Sequence, residues 1–521
     1  MAHLQLTSLP VELIIKIFEY LDIRTLLGAQ QTCHTLKAIV DDCISLQYAI
    51  ELAASGMSDG MDPRFATVQR LESLKAYDKA WKELSWTDLS DREFGSTDGL
   101  HHVSGSVLAT VVDNDARTLS LERVPSLLRG IQHDQWELKF DSAIIDFYMD
   151  SAQDLLIIIT AANWPFNLEI KLLSLSSGLP HPSSAPGEIK LHGARPDIHT
   201  GEICGDYFGL GMQATSVSNQ RRALVIWNWK TGMKESQSDL PRAYPTRIEF
   251  PSFTFLDDSH IMILAYRADG PFNSVEEIQL QTYRFRTPNG EFSPLRDFIL
   301  PELQERTQIM ILRFCPNHAP RRSSGLQRMG LYYHDPKDRL FVICLMVTGG
   351  GCHESFELRF PAQTILSHLQ SGDMSPVLWK AWGPSMSHFT RHTGPFRPQR
   401  WAVYGMKTVQ WKNIMLEDCV KQILVVFDYH PRRVARSAIH SGDQVLSSGD
   451  SPSMVSIGDT IDGRLLKEQV KTSVTYLYKE IPIPNTCPGE IVQVELCDDG
   501  LILYMRVLGQ SWMRETRVIS L

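Results

Sequence analysis

The sequence predicts a short all-α segment followed by a much longer all-β domain. Up to about residue 97, apolar residues recur at three- and four-residue spacing, the period of a helix. Beyond residue 98, short runs rich in Val, Ile, Phe, Trp and Tyr alternate with Gly, Asp, Asn and Pro clusters, the pattern of strands and turns. The length of 521 residues is too great for one ordinary core and asks for several domains or one large repeat architecture.

The first helix is expected at Pro10. Proline suits a first turn, where its missing N–H would be unpaired in any case, and Glu12 faces the positive end of the helix dipole. At 100° per residue, Leu13, Ile14, Ile15, Ile17, Phe18, Tyr20 and Leu21 spread over roughly 220° of the surface. Glu12, Lys16 and Glu19 mark the polar strip. A surface helix needs an apolar stripe of only about 100°. One face can pack on the short helices that follow; the other implies a partner or a second domain.

These residues resemble a known family. Leu9-Pro10-x-Glu12-Leu13-Ile14-x-x-Ile17-Phe18-x-x-Leu21, then Leu26-Leu27, then Thr32-Cys33-x-x-Leu36-Lys37, is similar to an F-box. The resemblance implies a three-helix unit, over residues 1–45, that docks on the Skp-family adaptor of a cullin–RING ubiquitin ligase. It implies Leu9, Pro10, Leu13, Ile14, Ile17, Phe18, Leu26 and Leu36 as the adaptor-binding residues. The chain departs from the family at His34-Thr35, where an aromatic residue or a basic pair often stands. LQYAIELAASGM and RLESLKAYDKAWKELSW, further on, resemble F-box proteins of mushroom-forming fungi.

Residues 46–97 read as a helical linker. Phe65, Val68, Leu71, Leu74, Trp81 and Leu84 form one apolar stripe, and Gly56, Gly60 and Pro63 break the chain before it. A spacer that holds the first unit in a fixed orientation and a cap helix packed on the next domain both fit that stripe.

Residues 98–521 read as repeated β units. Ile170–Gly178 resembles Leu224–Gly232, each an alternating strand that ends in a polar residue and glycine. Phe253–Leu264 reads as strand, Asp-rich turn, strand. Further units near 103–123, 310–360, 400–430 and 487–521 give a spacing of about 40–60 residues, that of β-propeller blades. Tryptophan followed by a polar residue resembles degenerate WD-type repeats, and about seven blades are expected. The strand-rich last segment suits a ring that closes on it, and a set of unrelated β-sandwiches is the rival architecture. Three polar stretches, from 179, 316 and 430, read as loops, and no helix is expected in this region.

Bulk properties exclude several classes. Hydrophobic content of 43% and charged content of 21% are those of a globular chain. A net charge of −9 offers no global basic field for nucleic acid or an anionic membrane. The apolar run Leu155–Ile159 is far short of the roughly 20 residues a membrane helix needs. Nine cysteines, without a CxxC pair, point to buried thiols in a reducing compartment, the cytoplasm or nucleus.

Catalytic motifs are missing. The chain has no HExxH, no GxSxG and no phosphate loop, and Gly349-Gly350-Gly351 reads as a hairpin turn. Neither Cys344, Cys352 and His353 nor Asp113-Asn114-Asp115 completes a metal motif, so neither metal nor cofactor is expected. Clustered arginines can hold phosphate, which makes Arg397, Arg400, Arg432 and Arg433 candidate substrate contacts against a bland reading as solvated loop charge.

Together with the F-box resemblance, these readings imply a non-enzymatic substrate receptor of an SCF-type ubiquitin ligase. Its partners are the Skp-family adaptor, through it the cullin and RING subunits, and an unidentified target protein. Two alternatives stay open. One is an F-box protein acting outside the ligase as a structural or localisation partner. The other is an enzymatic or ligand-binding propeller, which would need acids, histidines or metal ligands converging on the ring's channel.

Overall fold

The computed structural model describes residues 6–60, 63–83, 87–88, 100–112, 115–126, 128–129, 131–162, 167–192, 194–216, 219–240, 252–269, 274–320, 331–392, 401–415, 420–442, 454–456, 459–482, 490–506 and 514–520. The N-terminal helices are α1 (Val11–Glu19), α2 (Ile23–Gln30), α3 (His34–Asp42), α4 (Ile44–Ser55) and α5 (Thr67–Glu83). Pro10 stands one residue earlier than expected, as the cap of α1, and its carbonyl accepts from the amides of Leu13 and Ile14. Asp22 caps α2, its carboxylate accepting from the Thr25 amide at 3.1 Å. Helix α4 ends at Gly56 with φ +63°, where a Cβ would lie 2.6 Å from the His430 ring. Ile14, Phe18, Leu26, Leu36, Ile39, Val40 and Leu46 form one small core under α1–α4.

Seven antiparallel sheets follow around a common axis. Their innermost strands are His101–Ser104, Ile144–Asp150, Ala194–Cys204, Phe253–Phe255, Gln308–Phe314, Trp401–Tyr404 and Glu490–Leu496. Blades are numbered one to seven in that order, and in blades one to five the chain steps outward strand by strand. Blade seven is built differently. Glu490–Leu496, Gly500–Arg506 and Arg514–Ser520 are its first three strands, and the fourth is Thr87–Asp88 from the end of the helical segment. Thr87 pairs with Ser520 and Asp88 with Ile519, so the ring closes on a strand from the other end of the chain.

The repeats read from sequence occupy equivalent positions: Asn167–Ser174 and Asn219–Asn228 are third strands of their blades. Phe253–Phe255 and His260–Asp269 pair across a turn in which the Asp257 carboxylate accepts from the amides of Ser259 and His260. Gly349 and Cys352 are paired across Gly350 and Gly351, whose φ values of +55° and +78° suit the hairpin turn.

Helices do occur inside the β region. Blade five carries α6 (Ala362–Leu369) and α7 (Trp379–Met386) between its third and fourth strands. Trp382 of α7 is fully buried among Phe298 and Phe360 and donates to the Ile299 carbonyl at 3.0 Å. The polar stretch from 430 opens on α8 (Pro431–Gly442), not on a loop, and also supplies Met454–Ser456 as a fifth strand of blade six. The stretch from 179 contains Glu188–His192, the outer strand of blade two.

Candidate protein-docking site

Helix α1 divides its apolar side chains between two faces. Ile14 and Phe18 are 1% and 2% exposed and point into the small core, with Leu26 of α2 and Leu36 of α3. Leu13, Ile17 and Tyr20 are 51%, 41% and 89% exposed. At 100° per residue those three lie within about 60° of one another, so they form a stripe facing water. Pro10 is exposed beside it, Leu9 is half-buried, and Val11 and Leu27 are also exposed. The polar edge is held by Lys16 on Glu19 at 3.1 Å and by the Ser45 hydroxyl donating to Glu19. Those bonds hold the Glu19 carboxyl below its ordinary range.

Four of the eight residues that the family pattern offers for adaptor contact are therefore sealed inside the unit. Ile14, Phe18, Leu26 and Leu36 shape the surface and do not line it, because each helix must bury one stripe to fold at all. Val11, Tyr20 and Leu27 join the exposed set. Tyr20 was already part of the 220° arc, whereas the family pattern passes over it.

Helices α4 and α5 face a different neighbour. Tyr48, Leu52, Leu71, Leu74 and Tyr77 pack with Leu331 and Tyr332 from the connection between the first two strands of blade five. Met57–Asp59 pairs as a strand with Tyr332–His334. Arg70 holds both Asp59 oxygens, at 2.7 and 2.8 Å, and Ser73 donates to the Leu128 carbonyl of blade one at 2.7 Å. Lys479 of blade six donates to the Lys82 and Glu83 carbonyls, each at 3.0 Å.

Three arginines of α8 complete this joint. Arg432 donates to the Ala53 carbonyl at 2.8 Å, and Arg436 grips Glu51 at 2.7 and 3.1 Å. Arg433 lies 3.1 Å from Asp428 and 3.6 Å from Asp78 of α5, with its side chain 13% exposed. Arg432 and Arg433, candidates for substrate contact from sequence, are thus placed between the linker and blade six. Arg397 and Arg400 lie outside the described residues. Next to Arg433, the Lys407 ammonium sits 4.4 Å from the centre of the Trp81 ring, and burial together with the Arg433 charge pushes it down to about 7.

The linker covers the propeller face that carries the first-to-second and third-to-fourth strand connections. The same face is crossed at its centre by Pro316–Pro320. Arg339 donates to the Ala319 and Asn317 carbonyls, and Asn317 to those of Leu340 and Gly405. Beside this crossing is a cavity of about 110 Å³ lined by His102, Tyr148, Asp150, Glu202, His318 and Arg339, among others. Acids and histidines do converge on the channel, and they engage one another. His102 lies 3.7 Å from Asp146 and His101 3.5 Å from Glu495, which also accepts from Tyr504 and Gln493. Burial pushes Glu495 up, but the bond to His101 and the nearby His318 outweigh it and hold the carboxyl at about 2. Among the described residues no group of three His, Cys, Asp or Glu could hold a metal. No helix among them is long and apolar enough to cross a membrane.

A small helical unit fixed by its linker to one face of a seven-bladed β-propeller is the class that this fold defines. Residues 6–50 match the F-box-like family, so the chain carries an F-box-like domain ahead of the propeller. No curated protein sequence matches the chain. Among solved structures it is similar to Sqt1 from Chaetomium thermophilum, at 8% identity over 80% of each chain, with a TM-score of 0.33. It is also similar to Drosophila Semaphorin 2a, at 9% identity over 82% of this chain and 76% of that one, with a TM-score of 0.34. A third is the polysaccharide lyase Uly1, at 8% identity over 82% and 90%, with a TM-score of 0.35. The blade count comes from the strand order, not from these likenesses.

Proposed function

We propose that the chain is the substrate-receptor subunit of an SCF-type cullin–RING ubiquitin ligase. The F-box-like domain docks on the Skp-family adaptor, and the propeller holds a target protein. The observation that carries this reading is the stripe Leu13, Ile17 and Tyr20, left in water on a domain of that family. The contact surface is that stripe with Pro10, Val11 and Leu27. The receptor does no bond chemistry. Its contribution is proximity, which requires a stiff connection between the two binding surfaces. The joint of α4, α5 and α8 supplies the stiffness.

Target binding falls to the propeller face opposite the joint, because α5 and Pro316–Pro320 occupy the other. Arg397 and Arg400 are the proposed target contacts that remain. The site of action is the cytoplasm or nucleus, where such ligases assemble.

The test is co-purification of the full chain with the adaptor, cullin and RING subunits, followed by ubiquitin transfer in the reconstituted assembly. The wild type is expected to bring down the adaptor, and the double variant Pro10→Ala/Ile17→Ala to lose it while the propeller stays folded. Capture of the double variant at the wild-type level refutes the docking surface. Adaptor capture without ubiquitin transfer to any co-purified protein favours a role outside the ligase.

A further inference from the structure

Blade five holds two thiols in unusual proximity. Cys344 lies in its second strand, Leu340–Gly349, where it pairs with Arg313 of the innermost strand. Cys315 follows that innermost strand directly, and its amide extends the ladder by donating to the Val342 carbonyl at 2.8 Å. The two cysteines are therefore diagonal neighbours. Alternation along strands puts both side chains on one face of the sheet. That face packs against Val403, Val425, Phe427 and Tyr429 of blade six. The Sγ atoms stand 2.8 Å apart, and both residues are present as thiols. Packed non-bonded atoms usually keep about 3.5–4 Å between them, and a disulfide needs about 2.05 Å.

We infer that Cys315 and Cys344 form a reversible oxidation site, closing to an intramolecular disulfide that pins the segment crossing the propeller channel. The oxidant is a peroxide. Cys315, 9% exposed and at the strand's end, meets it first: its sulfur attacks the peroxide O–O bond, becomes a sulfenic acid and releases water. The Cys344 sulfur then attacks the Cys315 sulfur. The S–S bond forms, the S–O bond breaks, and a second water leaves with the Cys344 proton. Burial raises the Cys344 thiol well above its ordinary range, which keeps it inert toward solvent oxidants; contact with the sulfenic acid replaces that lost reactivity.

The geometry also makes the bond reversible. Diagonal neighbours in an antiparallel pair are about 7–8 Å apart at Cα, just beyond the roughly 4.4–6.8 Å a disulfide usually spans, so closure needs a small backbone movement. Closure draws Cys315 toward the second strand, and a bond held under tension is one that thiol exchange reopens. Because Pro316–Pro320 follows Cys315 directly, oxidation tightens the segment at the channel centre.

The test uses the full native chain with hydrogen peroxide. Remaining thiols are then blocked with N-ethylmaleimide, and the digest is mapped without reductant. A peptide joining Cys315 to Cys344 is expected, lighter by two hydrogens and lost on adding dithiothreitol. Amide exchange from Cys315 to Ala319 is expected to slow in the oxidised form. In Cys344→Ser, dimedone labelling of Cys315 is expected to rise several-fold over wild type, because the sulfenic acid has no partner. The inference is overturned if the exposed Cys33 is oxidised while no such peptide forms. Equal dimedone labelling with and without Cys344 overturns it as well. Should the variant fail to fold, the mapping of the wild-type chain decides alone.

Discussion

Helices α1 and α5 both carry apolar side chains at three- and four-residue spacing, yet these end in opposite environments. Leu71, Leu74 and Tyr77 of α5 are buried against the propeller, whereas Leu13, Ile17 and Tyr20 of α1 stand in water. An apolar stripe alone does not say what covers it; the fold shows whether a partner is in the same chain. The linker's is, seen in the Met57–Asp59 strand and the α8 arginines. The F-box-like unit makes its main contacts within itself and to α4, which leaves its outer stripe exposed.

That contrast can be broken first at Arg433. Removing it as Arg433→Ala leaves Asp428 and Asp78 without their shared cation, and about 3–5 kcal/mol of stability is expected to go. Denaturant unfolding of the full chain measures this, and a loss below about 1 kcal/mol shows that the joint does not depend on the pair.

A second comparison uses one residue type on both faces of α1. Ile14→Ala is expected to cost about 2–5 kcal/mol through the cavity it leaves, read as a lower melting temperature of the helical unit. Ile17→Ala is expected to change stability by less than about 0.5 kcal/mol while weakening adaptor capture about tenfold or more. Equal melting shifts for the two would erase the distinction between inner and outer faces.

The joint should also respond to pH. Lys407 has an ordinary value of 10.5, and in the fold it falls to about 7. Between those values the unfolded chain binds the proton more readily, so stability rises as pH climbs from 7 toward 10.5 and is lost on descent. Lys407→Met is expected to flatten that rise, checked by unfolding at pH 7 and pH 9. An unchanged slope removes Lys407 as its source.

The smallest effect concerns Asp22, where Asp22→Ala removes the α2 cap, visible as faster amide exchange at Thr25. No change there means that the α2 end is held by packing alone.

The legible parts of the chain were those written in local pattern. The excess arc on α1, the strand periodicity and the hairpin at Phe253–Leu264 can all be read over a dozen residues. Helix α8 was not legible, because its arginines read as loop charge and it is held by Glu51 and Ala53, some 380 residues away. Helix α7 hides Pro384 inside it, a residue that normally ends a helix. Which face Ile14 or Ile17 occupies was equally unreadable, since both belong to the same arc and the packing of α2 and α3 decides between them.

The strand Thr87–Asp88 has a consequence for how the molecule is made. It is synthesised early, and its partner Arg514–Ser520 far later. On the ribosome the helical unit can be complete while the ring is still an open arc, its first-made edge waiting through more than four hundred residues of translation. A chain cut short before Arg514 leaves that edge unpaired and the seam unsealed. Synthesis of Arg514–Ser520 is thereby coupled to closure of the ring, and a product terminated before it presents an unclosed sheet.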